Sequence, residues 1–512
     1  MSRMHLAHQR PGADSNLSTS ALRARLGDID AELAELRARV ETLSAERKLI
    51  AAALDSVVYP ILTLPIEITS EIFTHHVDGL QDSEVADDED SRLCLVELES
   101  ATSAGPLFLA QICRTWRAIA LNMPSLWSRV QTPRLRRSER SSGLGKLLES
   151  WLARTTTNYP LHLKLESPGA DDREPELIPS VAARYAVQWA TFSCCLRWSA
   201  RTSSVVDGLR GRLPLLRKLD IKVYTHASEG HLTSRITGFS VAPRLRKATI
   251  VLISPEWITL PWPQLTHLTL DSQSGRNIPK CIKIVSEMPH LEVLSIEWGG
   301  SHEERPVSVT LRNVRELQIN NTDLADWTVD LLPYIVLPRL ISLHVESRHA
   351  SGKAQLATFL QRSQCLVQSL SFSSTFHSVM QVLLAMNQVK NLTFPSLEWK
   401  RQELAAFMRH IATVPHFLPD MRSLHIPICD TVIPFTEVAN MLASRWHSSP
   451  RKLHSFRLIR NDEVDGIPDE IPDPAIAEKL RVLKDDGLEI QIESLLASGD
   501  EFSYDVRKPF FE

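Results

Sequence analysis

The sequence predicts an α/β solenoid, a parallel sheet with backing helices, preceded by a small all-α unit and an N-terminal coiled-coil-like helix. Three patterns carry this expectation. Apolar residues step alternately by four and three positions from Leu22 to Val57. Two apolar helical blocks, "ILTLPIEITSEIF" and "PLFLAQICRTWRAIALNMPSLW", then follow across an acidic stretch. An LxxLxL pattern finally returns repeatedly between Leu219 and Phe456.

The chain has 512 residues, more than one ordinary core organises, so it implies either two to four units or a repeat array. Its 43% apolar and 23% charged composition is that of a folded globular chain. A net charge of −4 excludes a global field aimed at nucleic acid or an anionic membrane. The seven cysteines are irregularly spaced, with Cys194 and Cys195 adjacent and no CxxC pair. That usage predicts a reduced, intracellular protein, cytoplasmic or nuclear. Residues 1–19 lack the apolar core of a signal peptide and are expected to be disordered. No apolar run approaches the roughly 18 residues needed to span a bilayer, so no membrane partner is expected.

Residues 20–58 form the first element. With Leu26 as position a, the a positions are Leu26, Leu33, Val40, Arg47 and Leu54. The d positions are Leu22, Ile29, Leu36, Leu43, Ile50 and Val57. This spacing keeps one stripe facing a partner helix, and the filler residues are good helix formers. Thr19 or Ser20 can cap the start. In a parallel pair Arg25 would face Asp30 and Glu32 would face Arg37, which permits self-association through residues 20–58. The alternative is a helix folded back on its own chain.

Pro60 and Pro65 end that helix, because each lacks a donor and pushes its predecessor out of helical geometry. Pro65 suits the first turn of a new helix, and Glu67 complements its N-terminal partial charge. Ile68, Ile72 and Phe73 share a face. The stretch 78–91 is acidic and free of aromatics, a solvated loop. Its "DDED" lacks the glycine and spacing of a calcium loop. Helical periodicity resumes through Leu107, Leu109, Ile112, Cys113, Trp116 and Ile119, and Pro124 opens another short helix.

These residues resemble an F-box in the form found in the large fungal F-box family. Leu64 and Pro65 match its Leu-Pro opening, and Glu67, Ile68, Ile72 and Phe73 match its first helix. Ile112, Cys113, Arg114, Trp116, Arg117 and Ile119 match a "VCRxWRxIA" block; Pro124, Leu126 and Trp127 match a "TPxLW" ending. The heptad helix leading into "YPILTLP" is also similar to that family, whereas the acidic gap is longer than its usual spacing. The resemblance implies an F-box at residues 59–130 that docks the adaptor subunit of an SCF-type (cullin-RING) ubiquitin ligase. It implies adaptor-binding roles for Leu64, Pro65, Ile68, Ile72, Phe73, Leu109, Ile112, Cys113, Trp116 and Trp127. Physically, a helical unit of this size carries more apolar side chains than it can bury alone, so some should face a partner. For Ile68, Phe73 and Trp116 the competing role is internal core.

Residues 131–146, basic and turn-rich, read as a linker. Residues 147–498 read as a degenerate leucine-rich-repeat domain. The central positions are Leu219, Ala248, Leu268, Leu294, Leu317, Leu343, Leu370, Leu392, Leu424 and Phe456. Their intervals of about 20 to about 32 residues overlap the leucine-rich repeat range and are looser than it. Alternation makes each unit a short strand, usually preceded by a proline or a helical piece. "PLHLKL" is a candidate first repeat. One such unit cannot bury both faces, so the units must stack. The asparagine ladder of regular repeats is mostly missing. "FLQRSQC" is similar to a piece common in the fungal family. "AIAEKLRVLKDDGLEIQIE" reads as helix, glycine turn and strand sealing the array, with a loose tail at 499–512.

No P-loop, GxGxxG, GxSxG or HExxH occurs, and no catalytic, cofactor or metal-ligating set is predicted. His75 and His76 diverge on a helix, and His267, His290, His344 and His425 are expected on a surface. The leading expectation is therefore a non-enzymatic substrate-recognition subunit, with one partner at the F-box and an unknown target protein at the repeats. The alternative is a leucine-rich scaffold, self-associating through its heptads, acting outside any ligase.

Overall fold

The computed structural model describes residues 19–55, 60–78, 96–97, 105–132, 144–156, 159–165, 177–224, 234–272, 278–298, 307–320, 331–346, 353–372, 375–386, 388–395, 399–429, 431–462, 472–498 and 503–509. The expectations for residues 1–18, for the acidic stretch 79–91 and for linker residues 133–143 lie outside them. The chain divides into two compact units, Met1–Ile72 and Phe73–Glu512.

In the first unit, helix α1 spans Thr19–Asp55 without a break, as a proline-free run rich in Ala, Leu, Glu and Arg allows, Gly27 being carried by its neighbours. A 3₁₀ turn at Pro60–Thr63 follows, then α2 at Ile66–Asp78, within which the division falls. The α2 ladder starts on the Pro65 carbonyl, which accepts from the Thr69 amide at 3.0 Å and from Thr69 Oγ1 at 3.2 Å.

The second unit holds strand β1 (Val96–Glu97) and helices α3 (Pro106–Ile112), α4 (Arg114–Leu121) and α5 (Pro124–Trp127), with α3 packed on α4. The chain then alternates. It runs through β2 (Arg129–Gln131), α6 (Leu144–Leu152), β3 (Leu161–Leu165), α7 (Leu177–Ala183), β4 (Trp189–Arg197), α8 (Ala200–Asp207) and β5 (Lys218–Tyr224). Strands β6 (Lys247–Val251) and β7 (His267–Ser272) are joined through 3₁₀ turns at Pro255–Trp257 and Trp262–Gln264. Next come α9 (Ile278–Ser286), β8 (Val293–Trp298), β9 (Val309–Thr310), β10 (Glu316–Asn320), β11 (Ile335–Val336) and β12 (Ser342–Glu346). Helical crossovers resume with α10 (Lys353–Ser363), β13 (Ser369–Phe372), α11 (Phe376–Ala385), β14 (Asn391–Thr393), α12 (Arg401–Thr413) and β15 (Ser423–Cys429). The array closes with α13 (Phe435–Trp446), β16 (Ser455–Asp462), α14 (Pro474–Asp485), β17 (Glu489–Ser498) and β18 (Ser503–Pro509).

All of these strands except β9 and β11, which pair with each other, form one 16-stranded sheet in chain order. Its pairs are parallel from β1 to β17, and β18 returns antiparallel on β17. This is the sheet of a solenoid-like repeat, with helices as crossovers. Register is set by the leucine pattern, because a slip of one residue would turn every apolar side chain to the wrong face. Leu219 pairs with Ala248, Ala248 with Leu268, Leu268 with Leu294 and Leu294 with Leu317. The row continues through Leu343, Leu370, Leu392, Leu424 and Phe456. It also extends where the sequence pattern fades, backward through Phe192 and Leu163 to Val130 and forward to Ile490.

A second ladder substitutes for the missing asparagines. The Arg217 carbonyl accepts from the amides of Arg246 and Lys247, and the Arg246 carbonyl accepts from Thr266 and His267. The same fork recurs at Thr266, Glu292, Arg315, Ile341, Gln368, Lys390 and Arg422. Each repeat thus satisfies two amides of the next by backbone alone, which any residue can supply. Arginines add to this stitching. Arg445 of α13 donates to the carbonyl of Ile411, left over in the last turn of α12, at 2.8 Å and to that of Phe417, in the loop that follows, at 2.5 Å.

Nearly all the buried apolar side chains among the described residues belong to one cluster from Phe73 to Ile492. Glycine is required by position at 238 and 487. A Cβ on Gly238 would lie 1.9 Å from the Val206 carbonyl oxygen. Gly487, at φ +102°, turns the chain from α14 into β17, the helix, turn and strand expected there. Two boundaries shift. The sheet begins inside the expected linker and helical segments, because β2 already pairs with β3. Within the expected loose tail, residues 503–509 form a strand whose backbone pairs with β17.

Candidate docking surfaces

Helix α2 carries two apolar stripes one residue apart. Thr69, Phe73 and Val77 recur every four residues and are buried. Ile68 and Ile72 recur at the same spacing one residue earlier and are 49% and 39% exposed. Leu64, 38% exposed, continues that row into the preceding turn, and Pro65 is exposed beside it. A surface stripe of this kind is left when a helix has an apolar face wider than its own fold covers.

In the second unit Phe73 meets Trp116 edge-on, with ring centroids 4.9 Å apart. Cys113 ends α3 and caps α4, its Sγ accepting from the Trp116 amide at 3.4 Å. Arg117 Nε donates to the Ala110 carbonyl at 2.7 Å, holding α4 to α3. Trp127 is fully buried, donates from Nε1 to the Ala120 carbonyl at 2.8 Å and packs edge-on against Trp151. Of the residues the sequence singled out, Leu64, Pro65, Ile68, Ile72 and Ile112 reach the surface, and Cys113 and Trp116 are half-buried. Phe73, Leu109 and Trp127 are 0%, 3% and 0% exposed, so any docking role they have is to hold the others in place. Patterning alone cannot separate these groups, since buried and exposed stripes lie one residue apart.

The sheet offers a second surface. Between the two inward leucine-type rows runs a polar row: Lys164, Ser193, Asp220, Thr249, Thr269, Ser295, Gln318, His344, Ser371, Thr393, His425, Arg457 and Gln491. From β3 to β10 charge on this face is largely sorted, lysines before acids. Lys164, Lys218, Lys222 and Lys247 stand on β3, β5 and β6, with Asp220 bonded to Ser193 Oγ at 3.1 Å. Asp271, Glu297 and Glu316 follow on β7, β8 and β10. Burial raises the Asp271 carboxyl above its ordinary range, and Lys222 pulls the other way. His344 Nδ1 lies 2.7 Å from Ser371 Oγ. His425, expected on a surface, is half-buried, and its Nε2 has no hydrogen-bond partner among the described residues.

Among the described residues, no group of three or more His, Cys, Asp or Glu side chains could hold a metal ion. Burial holds the Cys194 thiol well above its ordinary value and pushes Cys281 up to about 12, so both stay protonated and poor nucleophiles. No helix among the described residues is long and apolar enough to cross a membrane. No family model matches the chain, and no curated protein matches it.

Proposed function

We propose that the chain is the substrate-recognition subunit of an SCF-type ubiquitin ligase, in which an F-box docks the adaptor and a leucine-rich-repeat array holds a target protein. The exposed stripe of Leu64, Ile68 and Ile72 carries this reading. It lies on the segment that resembles the adaptor-contacting helix of F-boxes, and apolar side chains left in water there favour a protein partner. The polar sheet face, with cations and acids largely sorted along it from β3 to β10, supports target binding by charge complementarity. The mechanism is proximity. A bound target is held near activated ubiquitin carried by other subunits, which raises the effective concentration of its lysines without chemistry in this chain.

The test is co-purification of full-length chain with the purified adaptor. The native chain is expected to bind, and a Leu64→Ala, Pro65→Ala variant with unchanged circular dichroism should bind at least about tenfold more weakly. A native chain that leaves the adaptor unbound, or a variant that binds it equally well, overturns the proposal in favour of a scaffold outside a ligase.

A further inference from the structure

Helix α1 is 37 residues long, about 55 Å at 1.5 Å per residue, and its heptad stripe is open to solvent. Leu22, Leu26, Ile29, Leu33, Leu36, Val40, Leu43 and Ile50 are 40 to 62% exposed. A helix this long, with its apolar seam from Leu22 to Ile50 in water, draws little stability from its own packing, and a second helix laid along that seam would complete it.

From this seam and its flanking charges we infer that α1 pairs antiparallel with α1 of a second copy of the chain. Arg47 at an a position selects the direction. In a parallel in-register pair, a residues face each other, so two Arg47 guanidinium groups would meet inside the seam. In an antiparallel pair, a residues face d residues. The flanking charges then select the stagger. One alignment sets Leu26 against the partner's Leu43, Leu33 against the partner's Leu36 and Val40 against the partner's Ile29. Arg47 then lies against the partner's Leu22 near the seam's end, where its head reaches water.

In that alignment the g positions pair Arg25 with the partner's Glu46 and Glu32 with the partner's Arg39, and the dyad repeats each contact. Sliding one heptad either way juxtaposes like charges. One shift sets Glu32 against the partner's Glu46 and Arg39 against the partner's Arg39. The other sets Arg25 against the partner's Arg39 and Glu32 against the partner's Glu32. Like charges at close range are destabilising, so a single stagger survives. Such a dimer carries two repeat arrays, giving avidity toward a target that presents two sites. The pairing is independent of any adaptor binding.

Sedimentation equilibrium of the full-length chain tests it. The native chain is expected to dimerise reversibly. Glu46→Arg should weaken the dimer about five- to tenfold, because it converts two attractive contacts to repulsive ones. Arg25→Glu should weaken it similarly, and the double Arg25→Glu, Glu46→Arg variant should return to the native constant. In a parallel pair Glu46 faces Ala51, and reversing Arg25 sets it against Asp30. The pairing is overturned if the native chain is monomeric, if Glu46→Arg leaves the constant unchanged, or if the double variant stays as weak as Arg25→Glu.

Discussion

His425 has a burial that its position in the sequence hides. It sits on the polar face between Thr393 of β14 and Arg457 of β16. Burial holds its imidazole below the ordinary value of 6.5, and the Arg457 charge adds to the shift. Above that ordinary value the folded and unfolded chains are both neutral at this position. As pH falls below it the unfolded chain gains a proton that the folded chain resists, so stability is lost until the folded value is passed. The native chain should therefore lose more of its urea midpoint than His425→Gln between about pH 7.5 and about pH 5. Equal losses in the two proteins would show that His425 carries no such linkage. Alternation along "SLHI" places this histidine outward, and only the neighbouring strand supplies the Arg457 charge that depresses it.

The strands show the same division between what a local pattern carries and what pairing adds. Every central position read from the sequence, Leu219 through Phe456, lies in one register row. The rungs before them carry a weaker signal, because Val130 and Phe192 stand where a leucine would mark the central place. The forked carbonyl ladder carries no sequence signal, since backbone groups belong to every residue type. On α2 the pattern identified an apolar helix but not which of Ile72 and Phe73 faces out, a matter decided by packing. The row predicts a sharp contrast within one strand. Leu317→Ala, at a fully buried rung, should cost about 2–5 kcal/mol in chemical denaturation. Gln318→Ala, next to it on the polar face, should stay within about 0.5 kcal/mol. Comparable losses at the two sites would mean that the inward row is not the core.

A stacked array is bounded by its ends, since each repeat leans only on its neighbours and a bare last strand presents unpaired amides and carbonyls. Here the helices α3–α5 and the short strand β1 precede the first full repeat in the same unit. At the other end β18 runs antiparallel along β17, from Ser503 opposite Ser498 to Pro509 opposite Glu493. An antiparallel strand interrupts the repeat: it offers no crossover helix and so cannot nucleate another parallel rung. Chain ending at Ser498 would keep the inward rung Ile490 and its partner Phe456 but expose the outer edge of β17. Deleting residues 499–512 should therefore leave helix content intact, speed exchange of the alternate β17 amides that face β18, one of the Leu495 and Leu496 pair among them, and make the chain associate edge to edge as concentration rises. Hydrogen exchange and light scattering report these two effects separately. Unchanged protection of those amides in the truncated chain would show that β18 does not seal the array.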